Sequence, residues 1–123
     1  GVEPAGADDT LRSLRAGERV RIPPPDTIAD GLRVVAPGAL TFPVIQRHVE
    51  DILVVDDGEI LEALRFALLR LKLVFEPSGA VPLAAALAGR LPPDVRRVGL
   101  IVSGGNIDPS LLASLWQGEG LGA

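Results

Sequence analysis

Apolar residues fall into two kinds of run along this chain. Residues 52–55 (Ile-Leu-Val-Val) and 98–102 (Val-Gly-Leu-Ile-Val) are short, rich in β-branched side chains and show no polar alternation. That pattern predicts parallel strands buried on both faces. Residues 1–4 read as the last residues of a further strand running into a turn, and residues 19–22 as a short strand cut off by Pro23-Pro24-Pro25. Between these runs the apolar positions recur at helical spacing. Leu11 and Leu14 predict a helix over residues 10–15, capped by Asp8 or Asp9 and ended by Gly17. A short helical segment follows over residues 28–32, capped by Asp26 or Thr27, then a loop over 34–40 turned by Pro37-Gly38. Thr41 caps a helix with Pro43 near its start that runs to about Val49. Asp56 caps the longest helix, about Gly58 to Lys72, whose polar residues Glu59, Glu62, Arg65 and Arg70 keep to one narrow stripe. Residues 74–80 lead in extended form into a helix of small residues, Ala84, Ala85, Ala86 and Ala88, ended by Gly89. Pro92-Pro93 turns the chain into residues 98–102. Asp108 caps a last helix over about 110–116 with Pro109 at its first position, and the glycine-rich tail 117–123 is expected to fray. Strand and helix alternate throughout, which is the α/β signature.

The 98–102 run stops at Ser103, and Gly104, Gly105 and Asn106 follow at once. In α/β sheets ligands bind beyond the carboxyl ends of the strands. A serine there, with glycines able to adopt positive φ and admit a close backbone approach, is a candidate ligand contact. An ordinary strand-to-helix turn is the alternative.

Composition narrows the partners. At 123 residues with 47% hydrophobic and 3% aromatic content, the chain fits one domain with an aliphatic core. A net charge of −4 argues against a nucleic-acid partner. There is no cysteine, so disulfides and thiolate metal sites are excluded. No apolar run reaches membrane-span length and no signal peptide opens the sequence, so a cytoplasmic location is expected. The absence of methionine, with an opening on Gly1-Val2-Glu3-Pro4, suggests a piece of a longer polypeptide.

Four segments carry a resemblance, in this order and spacing: Gly1–Pro4 with Ala7-Asp8-Asp9; Thr27-Ile28-Ala29-Asp30-Gly31; Phe75-Glu76-Pro77-Ser78-Gly79-Ala80; and Val102-Ser103-Gly104-Gly105-Asn106-Ile107-Asp108. Together they resemble the threonine dehydratase and serine racemase group of fold type II pyridoxal-phosphate enzymes, from Gly1 to about Leu115. The resemblance implies the C-terminal portion of a tryptophan synthase β-like large cofactor domain, spanning residues 1–123, with parallel strands and flanking helices. It assigns Ser103 to the pyridine nitrogen of pyridoxal 5′-phosphate. Asn106 would support the loop, Gly104 would keep space beside the ring, and Gly31 and Glu76 would line the pocket. Glu76 has an alternative reading as a helix-start carboxylate before Pro77.

The same resemblance implies a divalent cation (Mg²⁺, Ca²⁺ or Mn²⁺) on Glu3, the Ala7 carbonyl and Asp9. Two carboxylates and a carbonyl on one tight loop make an oxygen-only site for a hard cation; a capping aspartate beside a solvated glutamate is the alternative. His48 reads as structural, and Lys72, the single lysine, as a C-terminal helix residue that offsets the dipole. The Schiff-base lysine, the phosphate-holding glycine loop and the substrate-carboxylate loop would then belong to an N-terminal segment outside this sequence, and no catalytic residue is assigned within it. The expected activity is that of a threonine or serine ammonia-lyase, a homo-oligomer when intact. Serine racemase or hydroxyaspartate dehydratase is the alternative within the group. A non-catalytic folded fragment that needs an N-terminal partner is the alternative from another class.

Overall fold

Two short strands, β1 (Val2–Pro4) and β2 (Leu53–Val55), lie side by side in parallel, with Val2 opposite Leu53, Glu3 opposite Val54 and Pro4 opposite Val55. Parallel neighbours need a long crossover. Here it contains helices α1 (Asp9–Ala16) and α2 (Phe42–His48), with a 3₁₀ turn, Asp30–Leu32, between them. Helix α3 (Asp57–Phe66) leaves β2, continues through a π-helical turn (Ala67–Leu71), and packs against α4 (Pro77–Leu87). Helix α5 (Pro109–Ser114) closes the sequence of elements. The computed structural model describes residues 1–116; the expected fraying of 117–123 lies outside them.

Local chemistry explains most of these boundaries. Asp56 and Glu59 form a reciprocal capping box, each carboxylate accepting the other residue's backbone N–H, which fixes the start of α3. Lys72 ends the helical run in a left-handed conformation (φ 60°), and its ammonium donates to the Leu69 carbonyl at 2.7 Å. Gly17 (φ 75°) ends α1 in the same way. The Asp108 carboxylate accepts the Ser110 N–H at 2.7 Å and starts α5. The core joins Val55 to Ile60, Ala63, Leu64 and Ala67 of the α3 run, then to Phe75 and to Ala80, Val81, Ala84 and Ala85 of α4. Alanine on α4 lets it lie close to both α3 and the strand pair, and Ala80 and Ala85 are fully buried.

Three local expectations are corrected. Residues 98–102 form neither a strand nor a buried segment: Val98 is 51% exposed and Ile101 80%. An apolar run states only that it needs cover; a strand also needs a neighbour's N–H and C=O groups. The described sheet contains β1 and β2 alone. Residues 19–22 are likewise no strand, and a single loop bond (Ile22 N–H to the Val35 carbonyl, 2.8 Å) holds Ile22. Neither Asp8 nor Asp9 caps α1 through its side chain. The Glu3 carboxylate does so from β1, accepting the N–H groups of Thr10 (3.1 Å) and Leu11 (2.9 Å).

Gly79 lies so close to the segment after residue 102 that a β-carbon there would stand 1.8 Å from the Ser103 carbonyl oxygen. In an open helix Gly→Ala stabilises by about 1 kcal/mol. Here Gly79→Ala is expected to destabilise by roughly 1–3 kcal/mol, the range for overpacking, as measured by urea unfolding.

Candidate functional site

The first turn of α4 gathers the residues that the sequence singles out. Glu76 stands at its N-cap in extended conformation, yet its side chain does not cap the helix. The carboxylate instead accepts the Asn106 N–H at 3.1 Å. Gly104 adopts φ 74°, and a β-carbon on it would stand 2.3 Å from the Glu76 carboxyl carbon. Only glycine fits that place, for its backbone angle and for its space alike. Gly105 does not share the positive φ expected of it. Asn106 meets Glu76 through its backbone N–H.

Gly31 arrives from the 3₁₀ turn. Its N–H reaches Ser78 Oγ at 2.9 Å, and a β-carbon would stand 2.8 Å from that oxygen and 3.8 Å from Glu76 Oε1. Gly31, Glu76, Ser103, Gly104 and Asn106 thus meet in one cluster, although up to 75 positions separate them in the chain. Ser78 belongs to the cluster and was missed as a site residue; its place two residues after Glu76, in the same helical turn, was the available signal. Ser103, Gly104, Gly105 and Asn106 are exposed, with Glu76 and Ser78 half-buried behind them. Ser103 is therefore at the surface, not packed inside. A neutral hydroxyl, a glycine edge and a carboxylate occupied by a backbone N–H suit the polar rim of a flat heteroaromatic ring.

A second group lies where β1 meets α1. Ala7 and Asp9 are each 1% exposed, and neither oxygen of the Asp9 carboxylate has a hydrogen-bond partner. Burial pushes the Asp9 carboxyl up to about 6, with the neighbouring Glu3 and Asp8 carboxylates adding to the shift. Of the two carboxylates, Glu3 is satisfied by the Thr10 and Leu11 N–H groups, and the buried Asp9 alone is left with the kind of oxygen donors a hard cation takes. Among the described residues there is no cluster of three or more His, Asp or Glu side chains able to hold a metal. The set in question has two carboxylates and a carbonyl.

A cleft of about 740 Å³ is lined by His48, Asp51 and Asp94 among others and by none of the candidate cofactor residues. His48 is the exposed last residue of α2, where a basic side chain suits the helix dipole. No described helix is long and apolar enough to cross a membrane.

This geometry agrees with the comparisons to known proteins. Residues 1–104 match the family described as pyridoxal-phosphate dependent enzyme, and the chain belongs to that family. It is 48% identical to the T.th. threonine deaminase, with a TM-score of 0.81 over 88% of this chain and 39% of that one. The structure of maize serine racemase is 45% identical, with a TM-score of 0.81 over 94% of this chain and 36% of that one. An L-threo-3-hydroxyaspartate ammonia-lyase of Pseudomonas sp is 45% identical over 96% of this chain and 37% of its own length. The chain thus spans about a third of the length of the relatives it matches.

The Asp9 carboxyl sets a pH dependence. In the unfolded chain it ionises near 3.9, and in the folded chain near 6. Between these values the unfolded state gives up its proton first, so stability present below the lower value is lost as pH rises through the upper one. In the presence of chelator the melting temperature is expected to fall across this window relative to Asp9→Asn, measured in parallel. A wild-type curve that tracks the variant would show that Asp9 is not an unpartnered buried acid.

Proposed function

We propose that this chain supplies the C-terminal portion, residues 1–123, of the large cofactor domain of a pyridoxal-phosphate-dependent ammonia-lyase acting on threonine or serine. The reading is carried by one observation: an exposed serine, Ser103, stands on a loop tied to Glu76, whose carboxylate lies close to Gly31. In the proposal Ser103 meets the pyridine nitrogen. A hydroxyl donates a hydrogen bond without giving the ring a full proton, which moderates electron withdrawal. When bound, pyridoxal 5′-phosphate supplies the electron sink for the substrate α-carbon. Moderate withdrawal suits an elimination in which the departing β-hydroxyl takes the charge. Threonine would lose water, and the enamine would take one water back as it releases ammonia, leaving 2-oxobutanoate. Glu76 and Asn106 hold the loop, and Gly31 and Gly104 leave room at the ring edge. The amine that binds the cofactor, the phosphate loop and the substrate-carboxylate loop are assigned to an N-terminal segment, without which the chain is inactive. The complete enzyme is proposed to be a cytoplasmic homo-oligomer.

Glu3, the Ala7 carbonyl and Asp9 are proposed to hold Mg²⁺, Ca²⁺ or Mn²⁺. The support is the unpartnered Asp9 carboxylate. The ion's role would be to neutralise this acid pair and brace the β1–α1 loop.

The polypeptide that carries this chain, assayed with threonine and with serine, is expected to form 2-oxo acid and ammonia. Ser103→Asp should lower kcat at least tenfold, a loss of about 1.4 kcal/mol in transition-state stabilisation. Unchanged turnover would remove Ser103 from the ring. Formation of D-serine, or turnover of 3-hydroxyaspartate alone, would replace the lyase reading with that of serine racemase or hydroxyaspartate dehydratase.

The cation is tested on the chain itself. Mg²⁺, Ca²⁺ or Mn²⁺ at about a hundredfold over Kd should stabilise by about 2.7 kcal/mol, read as a higher melting temperature above the Asp9 transition. Asp9→Asn should abolish the rise. A rise that persists in the variant would move the ion elsewhere.

A further inference from the structure

The loop that brings Gly31 to the cluster has little regular structure of its own beyond the three-residue turn Asp30–Leu32. Its anchor comes from another element. Asp57, the first residue of α3, accepts the Thr27 hydroxyl on one carboxylate oxygen (2.5 Å) and the Ile28 N–H on the other (3.0 Å). Thr27 is 2% exposed, and its oxygen in turn accepts the Ala29 N–H at 3.2 Å. Ala29 is fully buried, and its carbonyl receives the Leu32 N–H at 2.9 Å, closing the turn that contains Gly31. The Gly31 N–H then donates to Ser78 Oγ and is shared with the Asp30 carboxylate, each at 2.9 Å. An unbroken series of bonds therefore runs from α3 to the first turn of α4 by way of this loop.

The adjacent aspartate explains why Asp57 is free for this. Asp56 and Glu59 already cap α3, so the helix start does not need a second side chain. Hydrogen bonds to an ionised acceptor are shorter and about twice as strong as neutral ones. The Asp57 carboxylate also lies in the first turn of α3, where the helix field favours negative charge.

We propose that Asp57 is the positioning residue for Gly31: through Thr27 and Ile28 it sets the height of the loop against Ser78 and Glu76. The tolerance is small. The place of a Gly31 β-carbon is 2.8 Å from Ser78 Oγ, so inward movement of the loop meets that oxygen and outward movement breaks the Gly31 bond. The link to cofactor binding rests on the proposed function; the link from Asp57 to Gly31 does not.

Asp57→Asn keeps one acceptor and replaces the other with a donor, and Thr27→Val removes the hydroxyl at nearly constant volume. By amide hydrogen exchange and NMR on the chain, each is expected to speed exchange at Ile28 or Ala29 at least tenfold and to shift the Gly31 resonance. Ile60 in α3 and Ala84 in α4 should keep their wild-type rates. The double variant should do no more than the stronger single one, and Asp57→Glu should restore part of the protection. Unchanged exchange at Ile28 and Ala29 overturns the proposal, as does an equal acceleration throughout α3 and α4. In the longer polypeptide, Asp57→Asn should weaken pyridoxal 5′-phosphate binding about tenfold by fluorescence titration, with Asp57→Glu recovering part of it. Unaltered affinity alongside a loosened loop overturns the link to the cofactor and leaves the Asp57–Gly31 link standing. Failure of the wild-type polypeptide to bind the cofactor would instead refute the proposed function and leave the exchange result to decide Asp57.

Discussion

The Ser103 carbonyl occupies the space that a side chain at Gly79 would need, and the Glu76 carboxyl occupies the space beside Gly104. These two approaches face each other across the start of α4. One removes a β-carbon from the helix, the other from the loop. Together they press an extended segment with no strand partner among the described residues onto the end of a helix buried in the core. The Asn106–Glu76 bond is then the polar latch on a contact whose closeness is set by missing side chains. Close packing of this kind makes position an all-or-none matter, because interiors repack in steps and do not deform smoothly.

Acidic residues show how differently equal chemistry is used. Glu3 reaches across from β1 and satisfies two N–H groups at the start of α1. Asp9, the first residue of the same helix, has a buried carboxylate with no hydrogen-bond partner. A buried polar atom without a partner typically costs about 1–3 kcal/mol, and more when charged. Glu3 therefore stabilises the junction whether or not a cation is present, whereas Asp9 is a liability until it is protonated or neutralised. That asymmetry makes Asp9 the residue whose removal separates a structural from an ion-dependent role.

Much of this was legible in the sequence wherever a residue acts on near neighbours. Asp56 before α3, Gly17 after α1, Asp108-Pro109 before α5 and the β2 run all take the roles that local rules give them. Contacts between distant segments were not legible. Nothing in residues 8–10 says that the cap of α1 is held seven or eight positions upstream on a strand. The paired Asp56-Asp57 does not announce that one caps its own helix while the other holds a loop about thirty positions away. Residues 98–102 failed for a related reason: hydrophobicity records a demand for cover, not the identity of the surface that meets it. The glycine cluster was recognisable only because four motifs stood in one order, and spacing alone would not have joined Gly31 to Glu76.

The electrostatic character of the rim follows from which oxygen is left free. A carboxylate placed against a pyridine nitrogen would stabilise the protonated ring, and Glu76 is an acidic side chain brought into the cluster beside Gly31 and Gly104. Its charge is instead turned toward the backbone of residue 106 and hemmed in by Gly104. Ser103, three residues earlier on the same loop, keeps an exposed hydroxyl. The bond that holds the loop in place thus also directs the negative charge to the main chain and leaves a neutral donor at the edge. Under the proposed function, where the acid is pointed matters as much as the presence of the serine.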